Sequence, residues 1–132
     1  MTGRLILARH ARPRVEPGLC YGRLDVPADP VATQVAAQAL ADFVPPGLPV
    51  RVSSRLRARQ LADALHALRP DLVPQIDARF DEMDFGCHEG RRWADIPRAA
   101  VDAWVADFAW HRFGGVESAQ EVVARVAAGL RA

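Results

Sequence analysis

Apolar residues fall along this chain in short runs and helical stripes that take turns. Leu5-Ile6-Leu7-Ala8 is an unbroken apolar run without alternation. Such a run suits a strand covered on both faces, as in a parallel sheet. Pro13, Pro17, Gly18, Gly22, Pro27 and Pro30 then mark a long loop. Asp29-Pro30 reads as an N-cap followed by proline at the first helical position. Val35, Ala36, Ala39, Leu40 and Phe43 supply that helix with an apolar face. Pro45-Pro46-Gly47 stops it, and Val50 and Val52 flank Arg51 in a second strand that ends at Ser53-Ser54. The pattern predicts a helix over 55–69, with Ala58, Leu61, Leu65 and Leu68 on one side and Pro70 at its end. Residues 72–80 read as a third, weak strand.

The loop Asp81 to Gly90 follows, then a helix over 95–108 with Val101, Trp104, Val105 and Phe108 at helical spacing. Gly114-Gly115 breaks the chain. Ser118 and Glu121 form a capping box for a last helix carrying Val122, Val126 and Leu130. Strands alternating with helices predict an α/β fold, three-layered, with a mainly parallel sheet flanked by helices. No repeat or low-complexity tract divides the chain, so residues 1–132 read as one domain. The last helix runs to Ala132 without a stop signal. The expectation is therefore a domain truncated at its C-terminus.

Composition narrows the possible partners. All 17 basic side chains are arginine, against 16 carboxylates, for a net charge of +1. That balance argues against non-specific nucleic-acid binding, so any anion site must be local. Arginine suits bidentate contact with phosphate or carboxylate. Two cysteines, Cys20 and Cys87, suggest no disulfide framework and fit a reducing cytoplasm. The start of the chain does not read as a signal peptide, and no stretch approaches membrane-span length.

Three segments could carry chemistry. Arg9-His10 lies where the first strand enters a loop, and ligands of open α/β sheets bind at the carboxyl ends of strands. A neutral imidazole there can attack phosphorus while the arginine holds phosphoryl oxygens. Those two residues alone fit equally a strand-end histidine bonded to a backbone carbonyl. Ser53-Ser54 to Arg59 also leaves a strand and opens a helix, a ready anion site. Arg55 and Arg59 themselves read as a solvated helix face. Glu82 could protonate a leaving alkoxide, although four acidic residues between Asp77 and Asp84 more often describe a polar surface loop. Neither cysteine is followed at the sixth position by the arginine that a cysteine phosphatase needs. The Cys and His spacing suggests no zinc site, and no Walker loop or Gly-x-Gly-x-x-Gly is present.

Together these segments resemble the histidine phosphatase superfamily, the phosphoglycerate-mutase-like enzymes. Leu7 to Pro13 resembles the family's Arg-His-Gly signature, with Ala11 in place of glycine. Ser53 to Ala62 is similar to its Ser-Ser-Pro-Leu-x-Arg-Ala segment, after a one-residue slip around Arg57. Phe80 to Gly90 resembles Leu-x-Glu-x-x-Phe-Gly-x-x-Glu-Gly, and Gly114 to Ser118 resembles Gly-Gly-Glu-Ser. The loop Gly18 to Pro27 is similar to the branch that includes α-ribazole phosphatase, an enzyme of cobalamin assembly.

The resemblance implies that His10 becomes a phosphohistidine, that Arg9 and Arg57 grip the phosphoryl oxygens, and that Glu82 donates the proton. It implies hydrolysis of a small phosphorylated metabolite, α-ribazole phosphate among the candidates, with no cofactor, metal, nucleic acid or membrane. Phosphoglycerate-mutase-type transfer is the alternative among enzymes. The family's second catalytic histidine has no counterpart in this sequence; His66, His88 and His111 read as packing or surface residues. The resemblance puts a central strand before that histidine, and without it the chain is expected to be marginally stable, with exposed strand edges that favour a homodimer or aggregation. An impaired fragment or pseudoenzyme that binds phosphate or a partner is therefore the other alternative.

Overall fold

A computed structural model describes residues 3–132. It is a mixed α/β fold in which a parallel sheet is flanked by helices. The sheet consists of β1 (Val50–Val52) and β2 (Pro74–Ile76), paired in parallel with Val50 opposite Pro74 and Val52 opposite Ile76. Between them runs α2 (Leu56–Leu68), which packs on both strands, as the crossover between two parallel strands requires. Leu61, Ala62 and Leu65 are the apolar residues it buries.

Helix α1 (Pro30–Phe43) precedes β1 and packs on α2. The Asp29 carboxylate accepts from the Ala32 amide at 2.8 Å, which satisfies one free N–H of the first turn. The face it buries differs from the expected one. Thr33 and Ala37 are buried, whereas Val35 and Phe43 are exposed. Small residues let the two helices approach, and the Thr33 hydroxyl is satisfied by the Asp29 carbonyl at 2.7 Å.

Leu5 to Ala8 also departs from expectation. No ladder is formed there among the described residues, and Leu5 and Leu7 are 64% and 83% exposed. The run has no neighbouring strand among the described residues. Its apolar side chains line a cavity of about 760 Å³ whose other walls come from β1, α2 and the last helix.

The best-packed core lies under the loop regions instead. Cys20, Ile96 and Phe113 form its centre, with Phe85, Val101 and Trp104 packed around them. The Phe113 ring stacks on Trp104 at 4.5 Å between centroids and on Trp93 at 5.8 Å, while Phe85 meets them edge-on. Helix α3 (Arg98–Ala106) supplies Val101 and Trp104 to this cluster but leaves Val105 exposed. It is shorter than the pattern predicts because Trp93–Asp95 forms a separate 3₁₀ turn ahead of Pro97.

Helix α4 (Ala119–Arg131) begins at Ser118, whose hydroxyl accepts from the Glu121 amide at 3.2 Å. Only half of the capping box forms, because the Glu121 carboxylate turns to Arg112 at 2.7 Å. Gly129 brings α4 against the Phe80 ring; a Cβ there would overlap it.

Candidate active site

His10, Arg9, Arg57 and Glu82 all line the 760 Å³ cavity, together with Ser53, Arg55 and Asp81. Residues from three distant stretches of chain therefore meet at the carboxyl end of β1. The His10 Nδ1 donates to the Ala11 carbonyl at 2.7 Å. This is the strand-end carbonyl contact that the two residues alone suggested. It also fixes the tautomer, since a carbonyl can only accept, and leaves the Nε2 lone pair free.

Burial is the strongest influence on His10 and pushes its pKa below the ordinary value of 6.5. The bond to Ala11 works the other way; Arg57 and Arg9 lower it further, and Glu82 raises it. The ring is thus held neutral amid positive charge, the state a nitrogen nucleophile needs.

Arg9 is exposed, and no ion pair among the described residues includes it. Arg57 is 2% exposed on the first turn of α2. Its guanidinium donates to the Gly22 carbonyl at 2.7 Å and the Leu24 carbonyl at 3.0 Å, and lies over the Tyr21 ring at 5.0 Å. A guanidinium has five N–H donors, and these two carbonyls use two of them.

Arg55 and Arg59 do not form a solvated face. Arg55 donates to the Arg23 carbonyl at 2.7 Å and stands 3.5 Å from Asp81; the Arg59 Nε is buried. The sequence pattern misplaces them because α2 starts within a folded loop rather than at the surface.

Several organising residues carry no separate signal in the sequence. Asp81 accepts from the Ser53 and Ser54 hydroxyls, both at 2.6 Å, and from the Ser54 amide at 2.7 Å. Burial works against its ionisation, but these bonds and Arg55 outweigh it and hold its pKa below the usual range. The pair of serines is thereby locked to the Glu82 segment. Arg125 of α4 clamps that segment from the other side. It donates to the carbonyls of Arg79, Asp81 and Glu82 at 2.9, 2.6 and 3.1 Å, and to Glu117 at 2.6 Å. Glu117 also accepts from the Asp84 amide at 2.9 Å. Gly86 and Gly114, both at positive φ, bring two backbones together where either Cβ would strike the other chain segment.

A second hollow, about 410 Å³, opens on the other side of Glu82 and shares Arg55 and Asp81 with the first. Arg23, Ser54, Asp84, Glu117 and Arg125 also line it. The remaining histidines are elsewhere. His66 bonds the Leu72 carbonyl at 2.9 Å, His88 packs on Phe113, and none of His66, His88 and His111 lines either hollow. Among the described residues no three His, Cys, Asp or Glu side chains gather as metal ligands, and no helix is long and apolar enough to cross a membrane.

The histidine phosphatase superfamily (branch 1) matches residues 5–132. The chain belongs to the histidine phosphatase superfamily. The structure of TTHB049 from Thermus thermophilus is similar at 27% identity and TM-score 0.73, over 93% of this chain and 68% of that one. A mycobacterial glucosyl-3-phosphoglycerate phosphatase, solved with inorganic phosphate, is 26% identical with TM-score 0.77, over 92% of this chain and 58% of that one. Mycobacterial hydrolase 1 gives 26% and 0.79, over 92% and 60%. Comparison with curated proteins finds no match. This histidine phosphatase chain thus spans only part of each of these relatives.

The family's segments account for much of the geometry just described. The Arg-His pair, the Ser-Ser segment and the Glu82 segment form one cavity wall, and the Gly-Gly-Val-Glu-Ser stretch supplies Glu117, which steadies the Glu82 segment through Asp84 and Arg125.

Proposed function

We propose that this chain is a phosphomonoesterase that works through a phosphohistidine at His10. The observation that carries the proposal is the His10 ring itself: neutral, with Nδ1 committed to Ala11 and Nε2 free, in a cavity that also holds Arg9, Arg57 and Glu82. Nε2 attacks phosphorus as the P–O bond to the alcohol breaks. Arg9 and Arg57 hold the non-bridging oxygens, and Glu82 gives its proton to the departing alkoxide. Water then attacks the phosphohistidine, Glu82 takes a proton back, and inorganic phosphate leaves with His10 restored. The substrate's leaving group occupies the hollow beyond Glu82. A small hydroxylated metabolite suits its polar lining, and α-ribazole phosphate is one candidate.

Glu82→Gln separates this role from a structural one. An alkoxide needs the proton, whereas an activated phenolate leaves without it. The variant is expected to lose about a hundredfold on an alkyl phosphate and only a few-fold on an aryl phosphate. Equal losses on both would remove Glu82 from the proton-donor role.

The pH profile tests His10. A lowered pKa means that the ring gains its inactivating proton only at lower pH. The acid limb of kcat/KM, which reports the free enzyme, is expected below pH 6.5. A limb above neutrality would contradict a buried, neutral His10. By the same sign, His10 withdraws stability as pH falls through its ordinary value toward its folded pKa, since the unfolded chain takes up the proton first.

One observation favours a second reading, in which the chain binds phosphate with little turnover. No second histidine lines the cavity among the described residues, and the extended run beside His10 is unpaired. Absence of one charge-stabilising group typically costs about a hundredfold in rate. Tight binding of inorganic phosphate with aryl-phosphate turnover near background would decide for this reading.

A further inference from the structure

Glu89 makes a set of contacts that the proposed chemistry does not use. Its carboxylate accepts from four backbone amides: Arg23 at 2.7 Å, Gly22 at 3.0 Å, Phe85 at 3.0 Å and Leu24 at 3.3 Å. Three of these belong to one short stretch, and that stretch faces the other way with its carbonyls. Gly22 and Leu24 accept from Arg57, and Arg23 accepts from Arg55. The 22–24 backbone is therefore a bridge between a carboxylate and a buried guanidinium. N–H groups point to the first and C=O groups to the second.

Hydrogen bonds aligned this way polarise one another, so each end strengthens the other. The bridge also has little freedom. Gly22 lies against the Met83 carbonyl with no room for a Cβ, and the Cys20 carbonyl accepts from the Gly90 amide at 2.8 Å. Arg57 has no carboxylate partner of its own among the described ion pairs. Its guanidinium is held by two carbonyls, and Glu89 holds the stretch that carries them.

We propose that Glu89 is a positioning residue for the phosphate site, acting on Arg57 through the Gly22–Leu24 backbone. The effect on phosphate transfer rests on the phosphatase reading; the effect on Arg57 does not. Removing Glu89 frees four amides and lets the stretch turn. Arg57 then keeps its charge but loses its fixed fork, and with it bidentate contact to phosphoryl oxygens.

A double-mutant cycle in the full chain tests this. Glu89→Ala is expected to weaken inorganic phosphate as an inhibitor about tenfold and to lower kcat/KM to a similar extent. In an Arg57→Ala background the same change should cost less than about twofold, because the residue it acts through is gone. A full tenfold loss in both backgrounds would show that Glu89 acts independently, and no loss in either would show that it does not act; both overturn the proposal. Glu89→Gln serves where the alanine variant does not fold. It keeps the shape but turns an NH₂ toward amides that also donate, and the same pattern is expected.

A second readout needs no turnover. In ¹⁵N-arginine NMR, the guanidinium protons of Arg57 should exchange slowly with water in the wild type and fast in Glu89→Gln. Equal protection in both proteins overturns the proposal. A wild type that neither binds phosphate nor turns over would defeat the phosphatase reading alone, and the exchange rates would still decide the role of Glu89.

Discussion

Replacing His10 with alanine is expected to lower turnover of an aryl phosphate by at least about ten-thousandfold while leaving phosphate affinity within a few-fold. The two effects separate because the ring's roles separate. Nδ1 is committed to the Ala11 carbonyl, so the only chemistry His10 offers is the lone pair on Nε2. Among the other polar side chains lining the cavity, Ser53 has its hydroxyl bound to the Asp81 carboxylate and the rest are arginines and carboxylates, so attack by one of these would show as turnover that survives in His10→Ala. Binding should survive because it depends on Arg9 and Arg57. The measurement is kcat beside the inhibition constant of inorganic phosphate. Turnover within tenfold of wild type would mean that water, or another residue, attacks phosphorus directly.

Arg57→Ala and Arg9→Ala are expected to lower kcat/KM by about a hundredfold or more each, whereas Arg55→Ala should cost far less. All three arginines line the cavity, so position in the wall does not separate them. Their relation to His10 does. Arg57 and Arg9 act on the His10 ring electrostatically. Arg55 instead leans on Asp81, the Arg23 carbonyl and Ser54. Removing Arg57 also leaves the Gly22 and Leu24 carbonyls unpaired, so its loss should lower thermal stability as well. Arg9 is exposed, and its loss should leave stability near wild type. An Arg55→Ala variant as damaging as Arg57→Ala would place the phosphate one helical step away from where the cavity suggests.

The elements with local signals are readable in the sequence. Asp29-Pro30 caps α1, Ser53-Ser54 closes β1, and Ser118 opens α4, because caps and turns are decided by neighbouring residues. The coming together of His10, Arg9, Arg57 and Glu82 is readable only through family resemblance. Residues 10, 57 and 82 meet through the βαβ crossover, and no local pattern reports that.

What escapes the sequence is of two kinds. The first is burial. Leu5 to Ala8 has the composition of a covered strand, yet its exposure depends on whether a neighbouring strand lies beside it, which its own composition does not determine. The second is polar organisation. Asp81 and Arg125 look like ordinary surface charges in the sequence, and Glu89 and Glu117 stand out only as positions of family segments, with no role attached. Their roles come from backbone groups they meet across distances of up to 67 residues along the chain, as between Glu89 and Gly22. The charge-rich Glu82 loop is ambiguous for the same reason. Its carboxylates divide between bracing the backbone and facing the cavity, and only the fold tells which does which.

The most direct test of the account is to trap the intermediate. The full chain is incubated briefly with a ³²P-labelled phosphomonoester, quenched in alkali and digested. One labelled peptide is expected, carrying His10, with its label lost in acid and absent from His10→Ala. Label that survives acid, or that persists in His10→Ala, would contradict phosphate transfer through His10.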